Sequence, residues 1–310
     1  MGGWRSADQS ALTQAASVAD LHPEAGVEEL QRILHRDWLA PAEPTTAAQR
    51  TAFTVLPPLF GELREAHAGR TRWLSESVVV ARSAGGMIVA GRPGESPRSL
   101  LPGDYTRPVG SRRQGLVPYL GEPLLVTDRR DAPPTDGWWP SWGPGWDHAN
   151  PPERLVRLTF AVQPAEVTSV VHRLTGALRE LPMPWLLRVA ADRAALTRAD
   201  AASILLPSDD VNGFDRSPWL HRLVSVVDGL VRPVAMPLAL SVAPGVTLVE
   251  QPAGDDFDVH RSRLVAQALR AAGSTGPRGA DPLDLVAERF RAAGLDPARP
   301  YLRPGSGQRA

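Results

Sequence analysis

The chain has 310 residues, enough for one large domain or two ordinary ones, and 43% of them are hydrophobic against 22% charged. This balance is typical of a soluble globular protein, and no apolar run is long enough to span a membrane, so a disordered or transmembrane protein is excluded. Thirty-four basic and thirty-four acidic residues cancel, and cysteine is absent. We therefore expect no binding to nucleic acid or to a membrane, and we exclude disulfide scaffolds, thiolate catalysis and cysteine-bound metals.

The N-terminal half begins with a segment that we expect to be frayed. Residues 1–10 lack the apolar core of a secretory signal, which indicates a cytoplasmic protein. Apolar spacing and turn residues predict further elements in chain order. They are a helix through Val27, Leu30, Ile33 and Leu34, a helix capped by Thr45 and Thr46, a helix through Leu59 and Leu63 that stops at Gly69, a hairpin of strands 77–82 and 87–90 around Ala84-Gly85-Gly86, and a strand at 123–127.

Residues 131–152 are rich in proline, glycine and tryptophan. With Trp138, Trp139, Trp142 and Trp146, the segment is too apolar for a solvated linker. We expect a structured loop that packs on a domain or lines a cleft.

The C-terminal half is more regular. Alternating apolar residues predict a strand at 156–162, and Pro164 then begins a helix with an apolar stripe from Val167 to Leu181. The later elements are strands at 185–190 and 201–206, a helix from Ser217-Pro218, strands around 236–241 and 246–250, and helices at about 256–271 and 282–293.

These elements predict an α+β fold with mixed sheets and flanking helices. Residues 1–150 form an N-terminal helical and β-hairpin region that includes the Trp-rich loop, and residues 151–310 form a C-terminal α/β region. We expect the two regions to meet near residue 150 as one integrated unit.

Common catalytic motifs are missing from the sequence, which has no phosphate loop with its lysine, no Rossmann glycine pattern, no His-Glu-x-x-His and no Gly-x-Ser-x-Gly. All the basic residues are arginine. A lysine amine can lose its proton and act as a base, whereas a guanidinium stays protonated and only donates hydrogen bonds. The candidate chemistry therefore lies with arginines and histidines.

One candidate group begins the helix that follows Asp255-Asp256-Phe257. His260 and Arg263 share a face of this helix, and Arg261 lies between them. Helix N-terminal amides and guanidinium groups can hold a phosphate while a nearby imidazole exchanges protons. The alternative is a solvated helix face on which Asp256 and His260 pair.

Other candidates lie near strands and at the end of the Trp-rich loop. Arg188 lies among apolar residues in a predicted strand, so its charge must reach water, a carboxylate or a ligand. Arg198 and Asp200 form either a structural ion pair or a ligand contact. His148 and Asn150 close the Trp-rich loop. A lone histidine is more often a packed or surface residue than a catalyst, yet this junction favours a functional role for His148.

A series of short blocks runs in a consistent order along the chain. They are Ala66-His67-Ala68-Gly69-Arg70, Val156-Arg157-Leu158-Thr159-Phe160, Val170-Val171-His172-Arg173-Leu174-Thr175, Pro184-Trp185-Leu186-Leu187-Arg188-Val189, Arg198-Ala199-Asp200-Ala201-Ala202, Leu205-Leu206-Pro207, Leu238-Ala239-Leu240, Ala243-Pro244-Gly245-Val246, Gly254-Asp255-Asp256-Phe257-Asp258-Val259-His260-Arg261 and Arg299-Pro300-Tyr301-Leu302. In these blocks the chain resembles the HopA-type effector family. Members of that family occur as bacterial secreted effectors and as lyase components of lanthipeptide (class V) and thioamitide biosynthesis.

The resemblance implies a phosphothreonine-lyase-like fold and a lyase activity. The enzyme would eliminate phosphate from phosphoserine or phosphothreonine of a ribosomally made precursor peptide, which leaves dehydroalanine or dehydrobutyrine. It would need no cofactor. Its partners would be the phosphorylated precursor peptide and a kinase-like phosphotransferase, with a cysteine decarboxylase as a further candidate.

β-Elimination needs a base for the Cα proton, stabilisation of an enolate-like carbonyl and donors for the departing phosphate. We expect Arg188 and Arg261 to converge in one hollow beside an imidazole. The assigned roles are phosphate binding for Arg188, Arg198, Arg261 and Arg263, catalysis for His260, His148 and Arg188, and orientation for Asp200 and Asn150.

The chain departs from this family in its base. Relatives often carry lysine where Arg188 stands, and phosphothreonine lyases use lysine as the base. Here His148, His260 or a desolvated Asp200 would take that role. Asp256 and Asp258 also add negative charge where a phosphate would dock. The alternatives are a catalytically inactive subunit, which binds peptide or stabilises the kinase through the Trp-rich loop, and a host-targeted effector.

Overall fold

The computed structural model describes residues 4–42, 59–82, 87–93, 97–109, 117–208, 217–251, 256–274 and 281–304. The predicted cap at Thr45 and Thr46 and the predicted turn at Ala84-Gly85-Gly86 lie outside these residues. The helices are α1 (Ser6–Asp20), α2 (Val27–Leu34, continued by a π-helical turn at His35–Leu39), α3 (Leu59–Ala66), α4 (Val167–Leu178, after a 3₁₀ turn at Pro164–Glu166), α5 (Pro218–Ser225), α6 (Phe257–Ser274) and α7 (Pro282–Ala292).

The strands form two sheets. They are β1 (Trp73–Arg82), β2 (Ile88–Gly91), β3 (Arg98–Leu100), β4 (Tyr105–Thr106), β5 (Pro123–Thr127), β6 (Trp138–Trp142), β7 (Leu155–Phe160), β8 (Leu186–Ala190), β9 (Ala202–Pro207), β10 (Leu240–Ala243) and β11 (Val246–Gln251). The first five make one sheet, in the order β3-β2-β1-β5-β4, and the rest make a second, in the order β10-β11-β7-β9-β8-β6.

The expectations from the sequence were wrong for two segments. The expected frayed start is wrong for α1, which buries Leu12, Ala15 and Ala19 and packs on α2, α6 and α7. Its stripe is mostly alanine, so its apolar signal is weak. The Trp-rich segment is not all loop, because residues 138–142 form β6, which pairs with β8 at the edge of the six-stranded sheet.

The α+β class with flanking helices is confirmed, but every strand pairing among the described residues is antiparallel, where mixed sheets were expected. The predicted strand-helix-strand unit is β7-α4-β8. Strand β9 inserts between β7 and β8 and runs antiparallel to both, so the two parallel strands never touch.

The six-stranded sheet has one apolar face and one mixed face. Successive side chains alternate between faces. The apolar face carries Trp139, Val156, Leu158, Leu187, Val189 and Ile204, all fully buried. On the other face the register places Arg188 between Ser203 of β9 and Pro140 of β6.

Helices lie on both faces of this sheet. His67, just after α3, contacts Trp139 and Ser141, so α3 and its neighbour α4 lie on the apolar face. On the mixed face, Arg157 of β7 reaches Asp258 and the ring of Phe257 at the start of α6. The start of α6 therefore covers the β7 side of the mixed face.

The smaller sheet has its own core and a charged connection to the rest. Arg64 of α3 contacts Asp104 at 2.8 Å and Asp131 at 3.0 Å, and Arg129 pairs with the same two aspartates. The predicted division at residue 150 stays a prediction, although β6, which precedes it, pairs with β8, which follows it. Within the described ranges, no helix has both the length and the apolar character needed to cross a membrane.

Candidate functional site

Three adjoining cavities open on the mixed face of the six-stranded sheet. Their volumes are about 840, 510 and 300 Å³, and Arg188 lines all three. Volumes of 300 to 1,000 Å³ are usual for ligand pockets. We call the three together the Arg188 cleft.

Arg188 is half-buried at the centre of β8, and within the described ranges its guanidinium has no hydrogen bond and no ion pair. Its charge still acts on its surroundings, because it lowers the pKa of both Asp256 and His148. Buried or half-buried charges are normally paired. The sequence analysis expected Arg188 to reach water, a carboxylate or a ligand. Among the described residues its guanidinium does not pair with a carboxylate, and it lines the cleft.

A buried ion-pair network lies beside Arg188. The guanidinium of Arg157 donates to Asp256 at 2.9 Å and holds Asp258 with two nitrogens, one at 3.0 Å. Burial lowers the pKa of Arg157, but Asp258 and Asp256 together outweigh it and the pKa rises above its ordinary value. Burial alone would raise the pKa of Asp256, yet Arg157 and a hydrogen bond from the Asp258 backbone bring it below its usual range. Arg157 and Asp256 therefore both stay charged.

Arg198 and Asp200 form the structural ion pair that was one of the two interpretations of these residues. Two nitrogens of Arg198 donate to the carboxylate of Asp200, at 2.7 and 2.8 Å. Burial lowers the pKa of Arg198, and the hydrogen bond and charge of Asp200 raise it above its ordinary value. Arg198 is thus committed to a protein carboxylate, although both residues line the 300 Å³ cavity.

The charges differ between the smallest and the largest cavity. The 300 Å³ cavity has three arginines and four aspartates among its described lining: Arg157, Arg188, Arg198, Asp136, Asp200, Asp256 and Asp258. The 840 Å³ cavity has three arginines and two carboxylates: Arg154, Arg188, Arg303, Glu153 and Asp256. A phosphate dianion is repelled by the first set. In the second set Arg303 also lies 3.8 Å from Glu250, which makes the balance close to neutral, so the larger cavity is still the better anion site.

His148 lines the two larger cavities with Arg188. Its ring packs edge-on against Trp142, with centroids 4.6 Å apart, and lies 6.5 Å from the ring of Trp146. Burial lowers the pKa of His148, Asp147 opposes this shift and Arg188 adds to it, so the imidazole is mostly neutral near pH 7. Asn150 donates to Asp147 at 3.1 Å and is exposed outside the cavities.

The group at the start of α6 does not join the cleft. Arg261 is fully buried, donates to the carbonyl oxygens of Pro300 and Leu302, and stacks over Phe257 at 4.8 Å. Burial lowers its pKa to about 9. The expectation that Arg188 and Arg261 share a hollow is wrong, because Arg261 instead anchors the C-terminal segment to α6.

His260 and Arg263 also line none of the three cavities among the described residues. The Nδ1 atom of His260 is in hydrogen-bonding contact with Arg261, and Arg263 is exposed on α6. Their assigned roles stay predictions that the geometry does not favour.

His67 and Ser141 form a buried pair that resembles a catalytic dyad. Nδ1 of His67 accepts a hydrogen bond from the Gly69 amide at 2.9 Å, so the ring proton lies on Nε2, 3.0 Å from Ser141 Oγ. Ser141 Oγ in turn donates to the carbonyl of Arg130 at 2.9 Å. The imidazole is thus the donor and cannot take the serine proton as a base does, so the pair is structural.

The sequence analysis missed Arg157 as a cleft residue. Like Arg188, Arg157 is a charged residue within a predicted apolar strand, so the same argument applies to it. Arg154 and Arg303 were also missed, because they lie in connecting segments and carry no local signal. The described ranges contain no group of three or more His, Cys, Asp or Glu side chains arranged to hold a metal ion.

Residues 144–302, just over half of the chain, match the model of the HopA1 effector protein family. This chain belongs to the HopA1 effector protein family. The matched region contains most of the Arg188 cleft, including Arg157, Arg188, Asp256 and His148. The family predicted from the sequence is therefore confirmed, while no curated protein matches the sequence.

Two solved structures resemble the whole of this HopA1 family member. The effector protein from Pseudomonas syringae pv. tomato strain DC3000 is 15% identical, with a TM-score of 0.55 over 96% of this chain and 99% of that one. The effector protein from Pseudomonas syringae pv. syringae strain 61 is 13% identical, with a TM-score of 0.53 over 96% and 97%. At these identities the likeness shows the shared fold.

Proposed function

We propose that the chain is a lyase that eliminates phosphate from phosphoserine or phosphothreonine of a ribosomally made peptide, giving dehydroalanine or dehydrobutyrine. One observation carries this proposal: Arg188, with no hydrogen bond or ion pair among the described residues, lies in an arginine-lined cleft of a HopA1-family fold. A guanidinium binds a phosphate through two parallel hydrogen bonds, which is the contact that Arg188 leaves open.

The 840 Å³ cavity is where the phosphate would bind. Arg188, Arg154 and Arg303 line it, and it carries less negative charge than the 300 Å³ cavity. Arg303 also lies 3.8 Å from Glu250, and its backbone amide donates to the same carboxylate, so its position is fixed before a ligand arrives. Preorganised donors of this kind stabilise the charge that builds on a leaving phosphate.

His148 is the favoured base. The Cα proton passes to its neutral imidazole, the electron pair of the Cα–H bond forms the Cα=Cβ double bond, and the Cβ–O bond breaks. The electrons of the Cβ–O bond leave with phosphate, which Arg188 holds. The lowered pKa of His148 keeps the imidazole in the form that accepts a proton. Asp200 is less suited, because Arg198 holds its carboxylate.

A second function is favoured by the absence of lysine from the chain. Where a guanidinium occupies the position of a basic amine, phosphate binding survives and proton abstraction does not. The chain would then be a phosphopeptide-binding subunit of a dehydratase complex, beside a kinase-like partner and a cysteine decarboxylase.

The test is elimination of phosphoric acid from synthetic peptides with a central phosphoserine or phosphothreonine, followed by mass spectrometry. We expect turnover by the wild type, and a loss of about 100-fold or more in kcat/KM for Arg188→Ala and for His148→Gln. Arg173→Ala is the matched control, because Arg173 is exposed on α4 and lies outside the cleft.

The outcomes separate the two functions. Tight binding of the phosphopeptides with no mass loss would favour the binding subunit. Equal turnover by the wild type and Arg188→Ala would exclude this cleft as the site of the reaction.

A further inference from the structure

The 840 Å³ cavity has an apolar part as well as a charged one. Leu155, Leu186 and Leu205 line it together with Trp146. These four belong to a small hydrophobic cluster that is separate from the main core. We call Leu155, Leu186 and Leu205 the leucine pocket. An apolar lining that continues from an anion site suits a ligand with both characters.

The leucine pocket is one row away from Arg188 on the sheet. Leu186 and Arg188 are two residues apart on β8, so their side chains project from the same face at a separation of about 7 Å. The register pairs Arg188 with Ser203 and Leu186 with Leu205. The pair Arg188 and Ser203 therefore lies beside the pair Leu186 and Leu205 on the same face of β8 and β9.

An extended peptide has the same repeat. Its side chains at positions i and i+2 also project from one side, about 7 Å apart. A phosphorylated residue held by Arg188 would therefore place a side chain two positions away over Leu186 and Leu205. A cavity of about 840 Å³ has room for both side chains.

Resting on the lyase function proposed above, we propose that the leucine pocket binds an apolar side chain two residues from the phosphorylated residue and so selects the substrate peptide. The cleft then recognises a bipartite motif, a phosphate and an apolar side chain at fixed spacing.

Elimination rates on matched phosphopeptides test this selection. The peptides share a central phosphoserine and alanine elsewhere, and carry leucine or alanine at position −2 or +2. At one of these two positions we expect leucine to exceed alanine by about 10-fold in kcat/KM with the wild type. The other position should be insensitive, because a peptide bound in one direction places only one of its two flanking side chains over the leucine pocket.

The variant Leu155→Asn tests the pocket from the side of the protein. Leu155 is half-buried at the start of β7, away from Arg188, and Leu240→Asn makes the same change at a half-buried leucine of β10 outside the cavity. Leu155→Asn should lose the preference for leucine, while the wild type should still turn over N-acetyl phosphoserine methylamide, which has no flanking side chains. Leu240→Asn should keep the preference.

Two results would overturn the selection and can be told apart. Equal turnover of all the peptides by the wild type would remove the leucine pocket from recognition and leave the lyase function standing. No turnover of any peptide or of the short amide would remove the lyase function and the selection together.

Discussion

The variant Arg157→Met should lower the free energy of unfolding by about 3 to 5 kcal/mol, because it leaves the buried carboxylate of Asp258 without its cation. Arg157 is 6% exposed, and it binds Asp256 and Asp258 at once. Burial raises the pKa of Asp258, Arg157 opposes this, and Asp256 and Asp200 raise it further. Without Arg157, Asp258 would have to take up a proton or stay charged in the interior.

Urea unfolding of Arg157→Met and of the double variant Arg157→Met/Asp258→Asn measures this effect. The double variant should regain a large part of the lost stability, since it removes the uncompensated charge as well. Arg36→Met is the matched control. It breaks an exposed pair with Asp37 and should change stability by about 0.5 kcal/mol or less. A loss below about 1 kcal/mol for Arg157→Met would show that the ion pairs of Arg157 contribute little to the stability of the fold.

Acidification should destabilise the protein through His67, by about 2 kcal/mol between pH 6.5 and about pH 5. Burial, with Arg129, Arg179 and Arg98, lowers the pKa of His67 from 6.5 to about 3. Below pH 6.5 the unfolded chain therefore binds a proton that the folded chain does not. The free energy of unfolding falls as pH falls from 6.5 towards 3, and the full contribution is present above pH 6.5.

Urea unfolding at several pH values checks this slope against His67→Gln. A glutamine can accept from the Gly69 amide and donate to Ser141, as His67 does, but it does not titrate in this range. The variant should lose most of the pH dependence between pH 6.5 and about pH 5. His221→Gln, which removes an exposed histidine of α5, should keep it. An unchanged slope in His67→Gln would place the acid sensitivity elsewhere.

Apolar periodicity and capping residues were sufficient to predict the elements that bury a regular apolar stripe. Ser217-Pro218 begins α5 as predicted, with Ser217 Oγ accepting from the Trp219 amide at 3.3 Å. It was insufficient for α1, whose small residues give little contrast between faces. It also failed for β6, where proline and glycine around the tryptophans suggested a loop.

The candidate site was only partly predictable, because charges find partners far away in the chain. Arg188 and Arg157 carry the same sequence signal, yet Asp258, the partner of Arg157, lies 101 residues further along the chain. Arg261 has the setting of an anion-binding residue at a helix start. Its actual partners are carbonyl groups of a segment about 40 residues later, which no local pattern indicates. Sequence could therefore nominate arginines but could not tell a structural arginine from one open to a ligand.

Phosphate-dependent peptide binding by Arg188 is the most direct test of this account. A peptide with α-methyl phosphoserine has no Cα proton, so it can bind but cannot be eliminated, and titration calorimetry can compare it with the unphosphorylated α-methyl serine peptide. We expect the wild type and Arg173→Ala to bind the phosphorylated form at least about 10-fold more tightly, and Arg188→Ala to bind both forms equally. An undiminished preference for phosphate in Arg188→Ala, or none in the wild type, would contradict the role of Arg188 as the phosphate-binding residue of this cleft.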